Sequence, residues 1–282
     1  MTHKSLRLHI INQRAGEGEN VAITIAVSRQ DGRQKAAAAA LEQAGYQVIR
    51  PQPEICADVL VLPMPFQPSQ EELKQLVKCI KPNGIVLAGM PSKSAIDAFE
   101  QRQVEVQDYA KCEELTLLNA IPTAEACLQI LMNLRKKTIW NSKVLITGFG
   151  RIAKLLARDC MTLGAKVRIA ARNPAQRAEA AAWGCDTLPL KDLKETVSLM
   201  DIAINTVPFL LFDAEVLMEM NPRCVLIDLA SSPGGVDFEQ AEKLGIYTEW
   251  ARGLPPKYAP ETAGEILAQT VQTILQEREG EK

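Results

Sequence analysis

The sequence predicts an α/β protein of two doubly wound parallel-sheet lobes bridged by long helices. Three observations predict it. Short apolar runs alternate with helical stretches along most of the chain, a single long helical stretch interrupts that alternation, and a second alternating series begins at Lys143. Alternation at this spacing favours parallel strands with helices on both faces. The 282 residues suit two domains, since one domain takes about 100–200.

In the first series the run 21–27 (VAITIAV) reads as a strand and 33–44 as a helix. Strands at 46–50, 58–62 and 84–90, helices at 71–80 and 94–101, and a short strand at 104–107 follow. Pro51, Pro53, Pro63, Pro65 and Pro68 fall at element ends, where a missing N–H does least harm. The pattern then changes to one helix over 122–137 (PTAEACLQILMNLRKK). Pro122 suits its first turn, and the basic residues suit its carbonyl end. Strands at 144–147, 166–171, 201–206, 224–229 and 245–248 form the second series, and a helix over 261–276 closes the chain.

Composition narrows the function classes. A net charge of −2 gives no general reason to expect nucleic acid or an anionic membrane as partner. Seven scattered cysteines with no CxxC pair argue against a disulfide framework or a metal site and fit a reducing compartment. The N-terminus lacks a signal peptide's apolar core, and no apolar run approaches the ~20 residues that span a bilayer. A soluble, cytoplasmic protein is expected. His3 and His9 are the only histidines, and both precede the first α/β unit, which weighs against histidine-based acid–base chemistry of the usual 2-hydroxyacid dehydrogenase kind.

The strongest local signal is Lys143-Val-Leu-Ile-Thr-Gly148-Phe149-Gly150-Arg151-Ile152-Ala153. Its glycines and alanine match G-x-G-x-x-G/A between an apolar strand and a helical run. Gly148 permits the tight turn, Gly150 lets backbone N–H groups approach a pyrophosphate, and Ala153 lets helix and strand pack closely. The helix N-terminus adds partial positive charge. This is a Rossmann dinucleotide-binding signature. The next strand ends Ala-Ala-Arg172-Asn173-Pro174, without the carboxylate that accepts a ribose 2′-OH. An arginine there suits a 2′-phosphate, so NADP is the expected cofactor. Thr206, Val207 and Pro208, and Ala230 and Ser231, follow two further strands, where ligands of open α/β sheets bind. The expected domains are a substrate and catalytic lobe (1–120), a linking helix (121–142), the NADP-binding domain (143–250), and a C-terminal loop and helix (251–282) packing back on the first lobe.

Asp31-Gly-Arg33-Gln34, Ile121-Pro-Thr-Ala-Glu125, Gly148-Phe-Gly-Arg151 with Ala171-Arg172, and Gly253-Leu-Pro-Pro-Lys257-Tyr-Ala-Pro260-Glu-Thr-Ala-Gly264 form a recognisable set in this order. These four segments resemble the dipicolinate synthase A-subunit family of spore-forming bacteria. The first loop departs from the family, reading Ser28-Arg29-Gln30 where glycines are usual. Ala126 also stands where glycine is common, Pro256 and Tyr258 replace smaller residues, and residues 1–20 look like an extra segment. The resemblance implies NADP-dependent oxidation of a dihydrodipicolinate-type compound to pyridine-2,6-dicarboxylate during sporulation. It also implies a flavoprotein-like B subunit as partner, and it is compatible with a homo-oligomer. Two rivals stay open: an NADP oxidoreductase of the methylene-tetrahydrofolate dehydrogenase type, and a cofactor-binding regulatory protein without turnover of its own.

A dianionic substrate calls for cations. Arg33 is a candidate carboxylate clamp or, equally, a partner for Asp31. Lys257 and Arg252 flank the C-terminal loop as further cations or solvated charges. Asp31 and Glu125 are the acids considered for proton transfer, although Glu125, placed in a first helical turn, is also explained by the helix dipole. Ser92, Ser231 and Ser232 offer hydroxyls, or simply turn chemistry, and Thr262 offers a hydroxyl or a cap. Cys185 and Cys224 read as core thiols.

Overall fold

The computed structural model describes residues 23–280, so His3, His9, the segment 1–20 and the start of the run 21–27 lie outside the described residues. The chain divides into two compact units. The first contains a parallel sheet of β1 (Thr24–Val27), β2 (Gln47–Ile49), β3 (Ala57–Val61), β4 (Ile80–Ala88) and β5 (Glu105–Asp108), in the order β2-β1-β3-β4-β5. Helices Gln70–Leu76 and Lys93–Glu100 connect its strands, and Ser69 and Ser92 cap them by accepting from the N–H groups of Glu72 and Ala95. Ser92 therefore works as a helix cap. Leu60, Leu62, Val86 and Ala88 share a core with Phe99 of the helix Lys93–Glu100.

Helix Gly32–Gln43 follows β1, and its opening residues, within 30–37, cluster with the second unit. Arg29, in the loop before it, takes φ +53°. This is left-handed space, where glycine meets no Cβ penalty and other residues do. Arg29 also makes an ion pair to Glu42 at 2.5 Å.

The linking helix differs from expectation. It spans Glu113–Leu134, so Pro122 lies well inside it rather than at its start, and it stops before the basic residues 135–137. Glu113 and Glu114 supply the acidic first turn that favours a helix N-terminus. Pro122 deprives the Leu118 carbonyl of its usual partner, while the Thr123 hydroxyl donates to the Asn119 carbonyl at 2.7 Å. Burial of Ala124, Ala126, Cys127, Ile130 and Leu131 outweighs the proline cost. The helix is also long and apolar enough to cross a membrane by length and composition, contrary to the expectation that no such run exists. Half of its most apolar stretch is buried in the structure, as befits a core helix.

The second unit carries β6 (Lys143–Thr147), β7 (Lys166–Ala170), β8 (Asp186–Leu188), β9 (Ile202–Asn205), β10 (Val225–Asp228) and β11 (Tyr247–Trp250). All pairings are parallel, and the order is β11-β10-β9-β6-β7-β8. The order reverses beside β6, the topological switch point at which open sheets bind ligands. Two layers of core flank the sheet, one on the linking-helix side and one beneath Phe212, Leu226 and Val236. The C-terminal helix Pro260–Gly280 crosses the start of helix Gly32–Gln43 very closely. A Cβ on Gly264 would overlap Ala36 Cβ and come within 2.6 Å of the Arg33 carbonyl.

Candidate dinucleotide site

β6 ends at Thr147, and the chain turns through Gly148 at φ +84°. Its N–H donates to the Ala170 carbonyl at 2.8 Å. A Cβ there would stand 2.7 Å from Thr206 Oγ1 and 3.0 Å from Val207 Cγ2, so only glycine satisfies both the backbone and its neighbours. Gly150 is the N-cap of helix Arg151–Thr162, in extended conformation and without a side-chain cap bond. A Cβ on it would meet no atom within 4 Å. Open space over the N–H end of a three-turn helix is what a pyrophosphate requires. Ala153, fully buried, lets that helix pack onto the sheet.

The neighbouring side chains divide by role. Phe149 is 1% exposed and meets Trp183 edge-on at 5.5 Å, so only its main chain can face a ligand. Ile152 packs on the core. Arg151 forks onto Glu113 of the linking helix, with Nε donating to Oε1 at 3.1 Å and Nη2 pairing with Oε2. Arg172, after β7, is exposed. Arg177 donates from Nη1 to the carbonyls of Ala171 (2.8 Å) and Arg172 (2.9 Å), and Asn173 caps the next helix through Ala175 N–H. Arg177 thus shapes the loop that presents Arg172.

A buried polar row that sequence reasoning missed supports the other two loops. In register, Thr147 of β6 faces Asn205 of β9, and Asn205 faces Asp228 of β10; all three are fully buried. Thr147 Oγ1 donates to Asn205 Oδ1 (2.5 Å), and Asn205 Nδ2 donates to Asp228 Oδ1 (2.8 Å) and to the Val207 carbonyl (2.9 Å). Asn205 Oδ1 also accepts from Val207 N–H at 3.1 Å. Asp228 takes Ala230 N–H on Oδ1 (3.0 Å) and Gly235 N–H on Oδ2 (2.7 Å). Thr206 Oγ1 donates to the Thr147 carbonyl at 2.7 Å, and Trp250 Nε1 donates to the Ala230 carbonyl at 2.9 Å. The loops at Thr206–Pro208 and at Ala230 and Ser231 are therefore both tied to one network at the ends of three adjacent strands. The only sequence signal was a polar residue closing each of three apolar strands.

The candidate substrate residues are only partly brought together. Asp31 caps helix Gly32–Gln43 by accepting from Gln34 N–H at 2.8 Å, and its other oxygen lies 3.6 Å from Arg33. Arg33 is 3% exposed. A Cβ on Gly32 would lie 2.9 Å from Pro260 Cβ, so the C-terminal loop packs beside this helix start. Lys257 donates to the Arg252 carbonyl at 3.1 Å, and Arg252 stacks 4.5 Å over Trp250; both brace the turn at Gly253. Thr262 is exposed within the C-terminal helix. Glu125 is exposed in the middle of the linking helix, so the helix-dipole account of it fails. Cys185 and Cys224 are buried; burial raises both thiols, Cys224 to about 12.

Comparison with known proteins agrees with this geometry. Residues 126–235 match the family described as D-isomer specific 2-hydroxyacid dehydrogenase, NAD binding domain. The dipicolinate synthase A subunit of Bacillus subtilis (strain 168) is 39% identical over 198 residues, which cover 70% of this chain and 67% of that protein. The crystal structure of that Bacillus subtilis protein superposes with a TM-score of 0.82 at 28% identity, covering 93% of this chain and 98% of that one. The Bacillus halodurans counterpart gives 0.79 at 26% identity, over 90% and 97%. The chain thus belongs to the dipicolinate synthase A-subunit family and carries the dinucleotide-binding lobe of a dehydrogenase-type oxidoreductase.

Proposed function

We propose that this chain oxidises a dihydrodipicolinate-type compound to pyridine-2,6-dicarboxylate with NADP, in the cytoplasm of sporulating cells, beside a flavoprotein-like B subunit. The observation that carries the cofactor choice is Arg172, exposed just after β7 in the sequence Ala171-Arg-Asn-Pro174, which has no carboxylate, in a loop whose carbonyls Arg177 binds. A guanidinium there grips a 2′-phosphate through paired, charge-assisted bonds. Two hydrogens leave the substrate ring, one as hydride and one as a proton, giving NADPH and H⁺. When bound, the nicotinamide supplies the hydride acceptor.

The chain's own residues bind and orient. The N–H end of helix Arg151–Thr162 holds the pyrophosphate, and the loops at Thr206–Pro208 and Ala230–Ser231 fix the nicotinamide half. Arg33 and Lys257 are the cations for the substrate carboxylates, and Asp31, 3.6 Å from Arg33, is the carboxylate for the proton. Arg33 is 3% exposed, so its guanidinium reaches a carboxylate only once its cover shifts; its rigid fork then suits the grip.

The test supplies dihydrodipicolinate formed in place from pyruvate and aspartate semialdehyde, with NADP or NAD, with and without the B subunit. NADPH and dipicolinate appearing together, much faster with NADP than with NAD, supports the reading. Tight NADPH binding without product in every mixture would sink the substrate assignment. Arg172→Ala should weaken NADPH binding about 10–100-fold, the loss of one charged pair, and leave NADH binding within about twofold. Equal losses for both nucleotides would overturn the cofactor choice.

A further inference from the structure

Cys56 and Cys79 lie at the head of two neighbouring strands of the first sheet. The residues that follow them, Ala57 and Ile80, are register partners. One step further, Asp58 and Lys81 hold an ion pair at 2.9 Å. Cys56 immediately precedes β3, and Cys79 closes the 3-10 turn Val77–Cys79 that runs into β4. Neighbouring strands lie about 4.7–4.9 Å apart, and a disulfide spans Cα separations of about 4.4–6.8 Å. The Cys56 thiol already donates to the Lys78 carbonyl at 3.5 Å, the peptide unit that carries the Cys79 N–H. The Cys79 thiol donates to the Gln75 carbonyl at 3.3 Å. Cys56 is exposed and Cys79 is buried, so one sulfur meets solutes and the other waits behind it.

We propose that Cys56 and Cys79 are a redox-reactive pair that hydrogen peroxide closes to an intramolecular disulfide. The Cys56 thiolate attacks one peroxide oxygen and the O–O bond breaks. Cys56 becomes a sulfenic acid, and the departing hydroxide takes a proton to leave as water. The Cys79 sulfur then attacks the sulfenic sulfur, the S–O bond breaks, and a second water carries away the thiol proton. Two thiols lose two electrons, and peroxide gains them. Burial raises the Cys79 thiol, with further contributions from Cys56 and Glu54, which assigns the first attack to Cys56 and resolution to Cys79. Burial also raises Cys160 to about 12 and Cys127 beyond it, so these thiols stay silent.

The full chain is treated with a few equivalents of hydrogen peroxide, quenched, and assayed for free thiols and for linked peptides without reductant. Two thiols should disappear, dithiothreitol should restore both, and a peptide joining Cys56 to Cys79 should appear, lighter by two hydrogens. Cys56→Ser should slow thiol loss at least tenfold. Cys79→Ser should leave Cys56 as a sulfenic acid that dimedone traps. Cys79 remaining free while Cys56 is over-oxidised, or while Cys56 links two chains, would overturn the proposal.

Discussion

Gly150→Asp separates cofactor binding from stability, because the structure gives the two effects opposite signs. Gly150 has extended N-cap geometry and no side-chain cap bond, and an added Cβ finds open space. Aspartate is a good N-cap, better than glycine by a few tenths of a kcal/mol, and its charge suits the helix dipole by about 0.3–1 kcal/mol. The nucleotide-free variant should therefore keep its unfolding temperature or gain about 1–3 °C. Binding moves the other way. A carboxylate about 4 Å from a pyrophosphate charge, at an effective dielectric of about 20, costs about 4 kcal/mol, or roughly a thousandfold in affinity. Fluorescence titration with NADPH and a thermal melt read both effects on one sample. Unchanged NADPH affinity would refute the assignment of the helix N-terminus as the pyrophosphate site. A fall of several degrees in the melt would refute the claim that the position is open.

Asp228→Asn replaces one oxygen by an NH₂ group among three donors, leaving a donor facing a donor in a fully buried site. The expected cost is about 2–4 kcal/mol, a drop of about 5–15 °C on melting, with weaker NADPH binding because two cofactor loops loosen; an unchanged melt would remove the network from the account. At Asp58, burial alone would raise the carboxyl, but hydrogen bonds from Lys81 and the Thr24 N–H, with the Lys81 charge, prevail and hold it below the ordinary aspartate value. A depressed folded pKa gives stability that is present above the unfolded value and lost as pH falls through the folded one. Acid melts should thus show Lys81→Ala destabilised at neutral pH, by less than about 1 kcal/mol for so exposed a pair, with the difference from the parent vanishing below the aspartate range. A difference that persists at low pH would refute the pairing.

What the sequence disclosed and what it concealed follow from range. The glycine turn and the helix start after β6 were legible because Gly148, Gly150 and Ala153 act within one turn and their requirements are local. The alternation of strands and helices was legible for the same reason. Pro122 misled because an isolated proline reads as a helix start; only the packing of Leu115, Ala120 and Leu131 makes a mid-helix proline tolerable. The separate roles of Phe149 and Arg151 depend on Trp183 and Glu113, remote in sequence, so the motif named both without distinguishing them. The row of Thr147, Asn205 and Asp228 needs the register of three strands, and no spacing along the chain encodes register between non-adjacent strands.

Two motifs that the sequence presents as separate also meet in the fold. Asp31-Gly-Arg33-Gln34 and the stretch ending at Gly264 lie more than two hundred residues apart, yet they meet where Gly264 accepts the backbone of Arg33 through Ala37. Helices cross at so short a distance only where one offers no side chain. Any residue larger than glycine at 264 would push the C-terminal helix off the segment that carries Arg33. The position of the candidate carboxylate clamp is thus set by the far end of the chain. This explains why residues 30–37, which follow the first strand of one sheet, pack as part of the unit that holds the other.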